Sequence, residues 1–281
     1  MILSIAPWAK AMNVNVEKEC KAKGWDVISL SAEGDMQKQT EQVNTLITKK
    51  VDLIILFAGD NKISIDWVKK IRNAGIPCIM VALNVDPVGR QYVNAFVGPD
   101  QEAMTKKIAD YIIKKHGADA NLTIVSISGV PVQYDYIVRL KGFKDGIAKT
   151  KYKFIGPEYA YSSRADAQKF METYISVYGK KINVLMGFDD DLTLGGIAAI
   201  EEAGLKGIEV YSITGQNEAI KAVKDGKIEM TVMNRTDLMA KKAAELAEKI
   251  FEGKKIDFNQ PTELIYITKD NVNKYIGKGE F

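Results

Sequence analysis

Histidine and cysteine are nearly absent: the chain has His116, Cys20 and Cys78 in 281 residues. A second histidine or a close cysteine pair would be needed for the common zinc sets, and a histidine base for most Ser or Cys nucleophiles. Neither is present, so the sequence points to no metal, no cofactor and no catalytic residue. The nucleotide and hydrolase signatures are missing too: no G-x-G-x-x-G after a strand, no G-x-x-x-x-G-K-[ST], no G-x-S-x-G and no H-E-x-x-H. No apolar run approaches the roughly 20 residues of a membrane span. Charge of one sign is not in excess either. The net value is +3 and Lys and Glu are mixed along the chain, which argues against a nucleic-acid partner. The chain opens on an apolar run at residues 2–5 with no basic segment or cleavage site before it. By itself this reads as cytoplasmic; a mature chain freed of a leader would open in the same way.

What is present is a rhythm. Short apolar runs, including residues 51–57 (VDLIILF), 78–83 (CIMVAL), 122–128 (LTIVSIS) and 184–188 (VLMGF), each break off and give way to a helical pattern. Such runs, alternating with helices, build parallel sheets covered on both faces. Ligands of those sheets bind at the carboxyl ends of the strands, so the residues just after each run are the ones to search. The first series places strands at 2–5, 25–31, 53–57 and 77–83, with helices at 9–23, 36–50 and 63–73. Val43, Leu46 and Ile47 share one helical face, and Gly24 and Gly75 fall just past helix ends, where a left-handed residue is wanted.

A turn at 86–94 and a short apolar piece at 95–98 interrupt the rhythm. It resumes after a helix at 100–116 with Asp100 as N-cap. Strands follow at 122–128, 153–160, 184–188, 208–214 and 229–233. Helices follow at 133–149, 164–178, 191–203, 216–225 and 236–253, and the chain closes with a strand at 264–267 and a short helix at 271–276. Two βα series joined near residue 98 imply two similar lobes. The two cysteines read as buried thiols, and His116 as a surface residue near a helix end. In the run Asp189-Asp190-Asp191, Asp190 or Asp191 is expected to cap the following helix. Asp189 is the candidate to accept hydrogen bonds from a ligand.

Several segments, taken in order, resemble the ribose-binding-protein-like family of periplasmic sugar-binding proteins. They are residues 21–31 (KAKGWDVISLS), 68–79 (VKKIRNAGIPCI), 97–101 (VGPDQ), 139–143 (RLKGF), 187–195 (GFDDDLTLG) and 222–231 (AVKDGKIEMT). The resemblance covers almost the whole chain. It implies an α/β fold of two Rossmann-like lobes with parallel sheets, joined by three hinge crossings. The lobes would be residues 1–98 with 236–264, and 99–235 with 265–281.

Binding positions follow from the resemblance one at a time. Trp8 matches the aromatic that stacks on the sugar; core packing is its alternative. Arg139 matches the arginine that clamps ligand oxygens, for which a forked guanidinium is suited; a solvated helix position is its alternative. Asp189 matches the cleft Asn or Asp, and Asn234 the hinge Gln, or else a helix cap. Elsewhere the chain departs from the pattern. Ala6 replaces an Asn, Phe57 replaces an Asn with Asp60 beyond it, and Ala82-Leu83 replace an Asp-Arg pair with Asn84 nearest. Thr214 replaces an Asp and is followed by Gln216, and Ser162 replaces an aromatic. All of these remain candidate ligand-binding positions except Ala6, Ala82 and Leu83, which have little to offer a hydroxyl.

The resemblance therefore implies an extracytoplasmic solute-binding protein, not an enzyme. It would take up a sugar, polyol or sugar-like molecule by cleft closure and deliver it to the permease of an ABC transporter. The alternative is a sensing module that signals to a histidine kinase or chemoreceptor. Location would be periplasmic or extracellular, held by a leader or lipid anchor outside this sequence, and the protein would be a monomer. On this reading Arg139→Ala removes binding and leaves the unliganded melting point nearly unchanged.

Overall fold

The computed structural model describes residues 7–131, 133–161 and 163–279. The strand expected at 2–5 lies outside them. The chain forms two compact units, residues 7–100 with 235–263, and residues 101–234 with 264–279. It passes from one to the other after Asp100, after Asn234 and after Glu263.

The first unit holds helix α1 (Pro7–Ala22), α2 (Met36–Thr48), strand β1 (Ile54–Leu56), α3 (Ile63–Asn73), β2 (Cys78–Val81), a 3-10 turn (Pro87–Tyr92) and β3 (Ala95–Gly98). Two later elements return to it: α9 (Thr236–Phe251) and β9 (Asn259–Pro261). The four strands pair in parallel in the order β1-β2-β3-β9. Strand β2 shows why both faces must be covered. Cys78 and Met80 enter one core with Trp67, Val68 and Ile71 of α3, while Ile79 and Val81 enter another with Met239, Ala243 and Leu246 of α9. Period-two alternation sends neighbouring side chains to opposite faces, so a strand apolar at every position needs helices on both. The start of α2 is set by Asp35, whose carboxylate accepts from Gln37 N and Lys38 N at 2.8 and 3.0 Å.

The second unit holds α4 (Gln101–His116), β4 (Thr123–Ser128), α5 (Tyr134–Ile147), β5 (Lys153–Tyr159), α6 (Arg164–Tyr178), β6 (Val184–Gly187), α7 (Asp190–Glu202), β7 (Glu209–Thr214), α8 (Asn217–Lys224), β8 (Met230–Asn234) and β10 (Leu264–Thr268). Its sheet runs β10-β8-β7-β6-β4-β5, parallel except for β10 on the edge. Two glycines let its helices touch. A Cβ on Gly142 of α5 would lie 2.2 Å from the Glu102 carbonyl oxygen of α4, and one on Gly195 of α7 would lie 2.2 Å from that of Arg164 of α6. Gly142 of RLKGF and Gly195 of GFDDDLTLG are thus contact points between helix backbones.

Several expectations need correction. Residues 25–30 form no strand, because an extended stretch becomes one only with a ladder beside it and no described strand pairs with them. The cap of α7 is Asp189, which accepts from Asp191 N at 3.0 Å, and neither Asp190 nor Asp191 fills that place. The closing helix shrinks to a 3-10 turn at Val272–Lys274. Strand β9, with the sequence Asn-Gln-Pro, carries no strand signal and exists through its pairing with β3. His116 is half-buried and lies 3.0 Å from Glu209, which also accepts from Lys115 and Tyr211. Cys20 and Cys78 are buried free thiols. Among the described residues, no helix is long and apolar enough to cross a membrane.

Candidate functional site

In the second unit the carboxyl ends of β4, β6, β7 and β8 carry Ser128, Asp189, Thr214 and Asn234. Arg139 joins them from α5. It is not a solvated helix residue, being only 6% exposed. Its Nε donates to Gln101 Oε1 at 2.8 Å and its Nη1 to the Phe188 carbonyl at 2.9 Å, just past the end of β6. The Asp135 carboxylate lies 3.5 Å from Nη1, one helical turn back, and the Tyr136 ring faces the guanidinium at 5.4 Å. Four residues thus surround one planar cation, and Nη2 is the nitrogen that neither hydrogen bond uses.

Asp189 stands beside this group. Its Oδ1 caps α7 and its Oδ2 accepts from Thr214 Oγ1 at 3.2 Å. Burial and the neighbouring charge of Asp190 push its carboxyl up to about 7, against the opposing pull of Arg139. Thr214 has φ at 138°, a conformation β-branched residues avoid. Such outliers persist only where surrounding structure holds them.

Not every candidate belongs to the same group. The backbone N–H of Gln216 donates to Asp190 Oδ2 at 2.8 Å, and its side-chain amide is turned to Asp191 at 3.3 Å. Asp190 is fully buried and also accepts from Ser212 Oγ and Thr231 Oγ1 at 2.5 and 2.8 Å, tying α7 to β7 and β8. Asn234 is buried as the last residue of β8, opposite Leu264 of β10. Ser162 lies outside the described residues.

Sequence reasoning missed Gln101, Ser128 and Asp135. Gln101 is 38 residues from the arginine it orients, and nothing local marks it. Ser128 is 1% exposed and its Oγ has no hydrogen-bond partner. Asp135 is buried, and burial raises its carboxyl despite Arg139. An Asp four residues before an Arg on a helix was the available signal.

The first unit looks different at the corresponding strand ends. Phe57 follows β1, is 6% exposed, and meets Trp8 edge-to-face with ring centroids 5.9 Å apart. Both belong to one apolar cluster with Ala82, Leu83, Ala9 and Met12. The end of β1 is held by Gln39 of α2, which donates to the Phe57 carbonyl at 2.9 Å and accepts from Gly59 N at 3.2 Å. Asp60 is occupied locally: its Oδ1 accepts from Lys62 N and Ile63 N at 2.7 and 2.8 Å. After β2, Ala82 takes the left-handed conformation with φ at 64°. Two residues on, Asn84 is 7% exposed and its Oδ1 has no hydrogen-bond partner.

Among the described residues no group of three or more His, Cys, Asp or Glu could hold a metal ion. The chemistry on offer is a fixed guanidinium, carboxylates, hydroxyls and amides in one unit, and aromatic and aliphatic surface with one amide in the other.

The periplasmic binding protein domain model matches residues 3–255. The ribose import binding protein RbsB of Bacillus subtilis (strain 168) is 28% identical over 250 residues, 89% of this chain and 79% of its own. Among solved structures, a galactofuranose binding protein superposes with a TM-score of 0.90 at 24% identity, over 99% of this chain and 96% of that one. The fructose binding periplasmic domain of a hybrid two component system gives 0.88 at 23% identity, over 98% and 91%. The chain belongs to the periplasmic binding protein domain family.

Proposed function

We propose that this member of the family is an extracytoplasmic solute-binding protein that captures a sugar, polyol or sugar-like molecule by closing its two units on it. It then presents the ligand to the permease of an ABC transporter. The observation that carries this reading is Arg139, held by Gln101 and the Phe188 carbonyl at the strand ends where Asp189 and Thr214 also stand. A guanidinium fixed on two sides offers its remaining N–H groups at little entropic cost, and an adjacent carboxyl accepts from a ligand hydroxyl. Trp8 and Phe57 supply the apolar contact a sugar ring takes on its C–H face. Ser128 and Asn234 add polar groups at the strand ends of the second unit, Asp135 stands beside Arg139 on α5, and Asn84 follows β2 in the first unit. No residue is assigned a catalytic role, and the protein acts as a monomer, membrane-associated through a leader or lipid anchor.

Binding drives closure to the extent that the ligand prefers the closed state. A micromolar ligand contributes about −8 kcal/mol. The test is a thermal-shift screen of sugars and polyols. A true ligand at a hundred times its dissociation constant stabilises the protein by about 2.7 kcal/mol. A panel of pentoses, hexoses and polyols that shifts nothing would overturn the reading. The similarity to a two-component sensor's periplasmic domain supports a second reading, in which closure signals to a histidine kinase. A permease gene beside this one selects transport; a kinase gene selects sensing.

A further inference from the structure

The second unit carries different charges at its two ends. Strands β4 to β8 run parallel, so their carboxyl ends lie at one end of the sheet and their amino ends at the other. The carboxyl end holds Asp189, Asp190 and Asp191. The amino end is rich in lysine. Lys149 follows α5, Lys151 precedes β5 and Lys153 opens it, Lys180 and Lys181 lie in the 3-10 turn that leads into β6, and Lys206 leads into β7. All six are exposed. The ladder sets these strand starts side by side. Thr123 of β4 pairs with Lys153, its N–H donates to Asn183 Oδ1 at 2.8 Å, and Glu209 N donates to the Asn183 carbonyl at 2.9 Å. Acids nearby are engaged: Asp119 by Lys151, Glu209 by Lys115 and His116, and Glu201 by Lys227. Lys153 Nζ sits over the Tyr178 ring at 5.5 Å. Lys149, Lys180, Lys181 and Lys206 make no ion pair among the described residues. Beside them Val177, in the last turn of α6, is 66% exposed.

We infer that this amino-end face of the second unit is a membrane-contact surface that rests on anionic phospholipid headgroups. The inference goes beyond solute binding and does not depend on which ligand the protein takes. A helix dipole favours lysine in or just past the last turn, which accounts for Lys149, Lys180 and Lys181. It fades within a turn and leaves Lys151, Lys153 and Lys206 unexplained. Like charges gathered without acids repel one another, and a layer of negative charge removes that cost. The residue type fits a lipid layer. A lysine ammonium is a point charge on a mobile stem and suits many shifting phosphates, whereas the arginine fork suits one fixed phosphate, and none of the six is arginine. Val177 adds an apolar side chain that reaches the headgroup level beside the charges. The same layer repels the aspartates at the carboxyl end, so the unit settles with its strand-end site turned to solvent.

The test sediments the whole chain with sucrose-loaded vesicles of phosphatidylcholine alone, or of phosphatidylcholine with about a third phosphatidylglycerol. At low salt the mixed vesicles should hold the protein at least about tenfold more tightly. Raising salt to about 0.3 M should shrink that preference severalfold, because screening shortens the reach of each charge. A lysine near such a surface is worth about fivefold in affinity, so Lys206→Glu should weaken binding to the mixed vesicles by at least that factor. Lys180→Glu combined with Lys181→Glu should weaken it more than about tenfold. Lys62→Glu makes the same charge change as Lys206→Glu at the start of α3 in the first unit and should leave binding within about twofold. All these side chains are exposed, so the variants keep the fold. Equal binding to both vesicles, or no loss in the Lys180, Lys181 and Lys206 variants, overturns the inference. So does an equal loss in Lys62→Glu, which would mean that net charge and not this face is read. Tighter binding of a single-stranded RNA oligomer than of mixed vesicles at the same salt assigns the face to another partner and overturns it too. Each of these outcomes leaves the solute-binding reading standing.

Discussion

Arg139 Nε donates to Gln101 Oε1 at 2.8 Å, joining the middle of α5 to the first residue of α4. The arginine therefore serves the fold of the second unit as well as a ligand. The expectation that Arg139→Ala leaves the unliganded protein unaffected does not survive this contact. Truncation strips donors from buried Gln101, from the Phe188 carbonyl and from the Asp135 carboxylate. Orphaned buried groups cost about 1–3 kcal/mol each way. Denaturant unfolding without ligand should show Arg139→Ala less stable by about that amount, and ligand affinity has to be read on the folded fraction.

The Asp189 carboxyl gives a pH signature. Its value is raised from the ordinary 3.8 to about 7, so the folded protein holds a proton that the unfolded chain releases. The stability this lends is fully present below about pH 4 and is lost as pH rises to about 7. Asp135 and Asp190 are raised as well and act in the same direction. Unliganded stability should fall across that window, and Asp189→Asn should flatten the fall. Parallel profiles for the variant and the parent protein would show that Asp189 does not titrate there.

Gly142 is required by a helix contact. Alanine would bring its Cβ to 2.2 Å from a backbone carbonyl of α4, which no rotamer change can relieve. Gly142→Ala should lower stability by about 1–3 kcal/mol, the range for overpacking. Gly146→Ala, whose nearest neighbour is the Ala109 side chain at 2.5 Å, tests the adjoining turn of the same interface. Thermal melts of both variants report the difference.

The thiols should be silent in the native protein. Cys78 is fully buried with its thiol pushed up to about 12, and Cys20 is buried and raised. Thiolate is the reactive form, and neither residue provides it near neutral pH. A disulfide exchange reagent should find no fast-reacting thiol in native protein and two after denaturation. Rapid native labelling would mean that the unit opens readily around α1 or β2.

The sequence was most legible where a signal is local. Helices α3 and α6 fall at the residues the apolar period marks, because each buries one stripe and ends at a turn. It was least legible where the signal belongs to a partner far along the chain. Residues 25–30 carry strand composition yet no described strand beside them. Strand β9 has no strand composition and pairs with β3. At the three consecutive aspartates, composition suggested caps and a ligand group. Which one did which depended on β7 and β8, since Ser212 and Thr231 draw Asp190 inward and leave Asp189 at the strand end.

The amino-acid sequence on its own determined the alternation of strand and helix and the α/β class, since these follow from period, composition and local spacing. The tertiary structure decided that Arg139 is buried, that Gln101 orients it, and that Asp189 caps α7 while Asp190 is drawn inward by Ser212 and Thr231. Those depend on hydrogen bonds and packing between residues tens of positions apart, and no local pattern encodes which distant partner a side chain will meet.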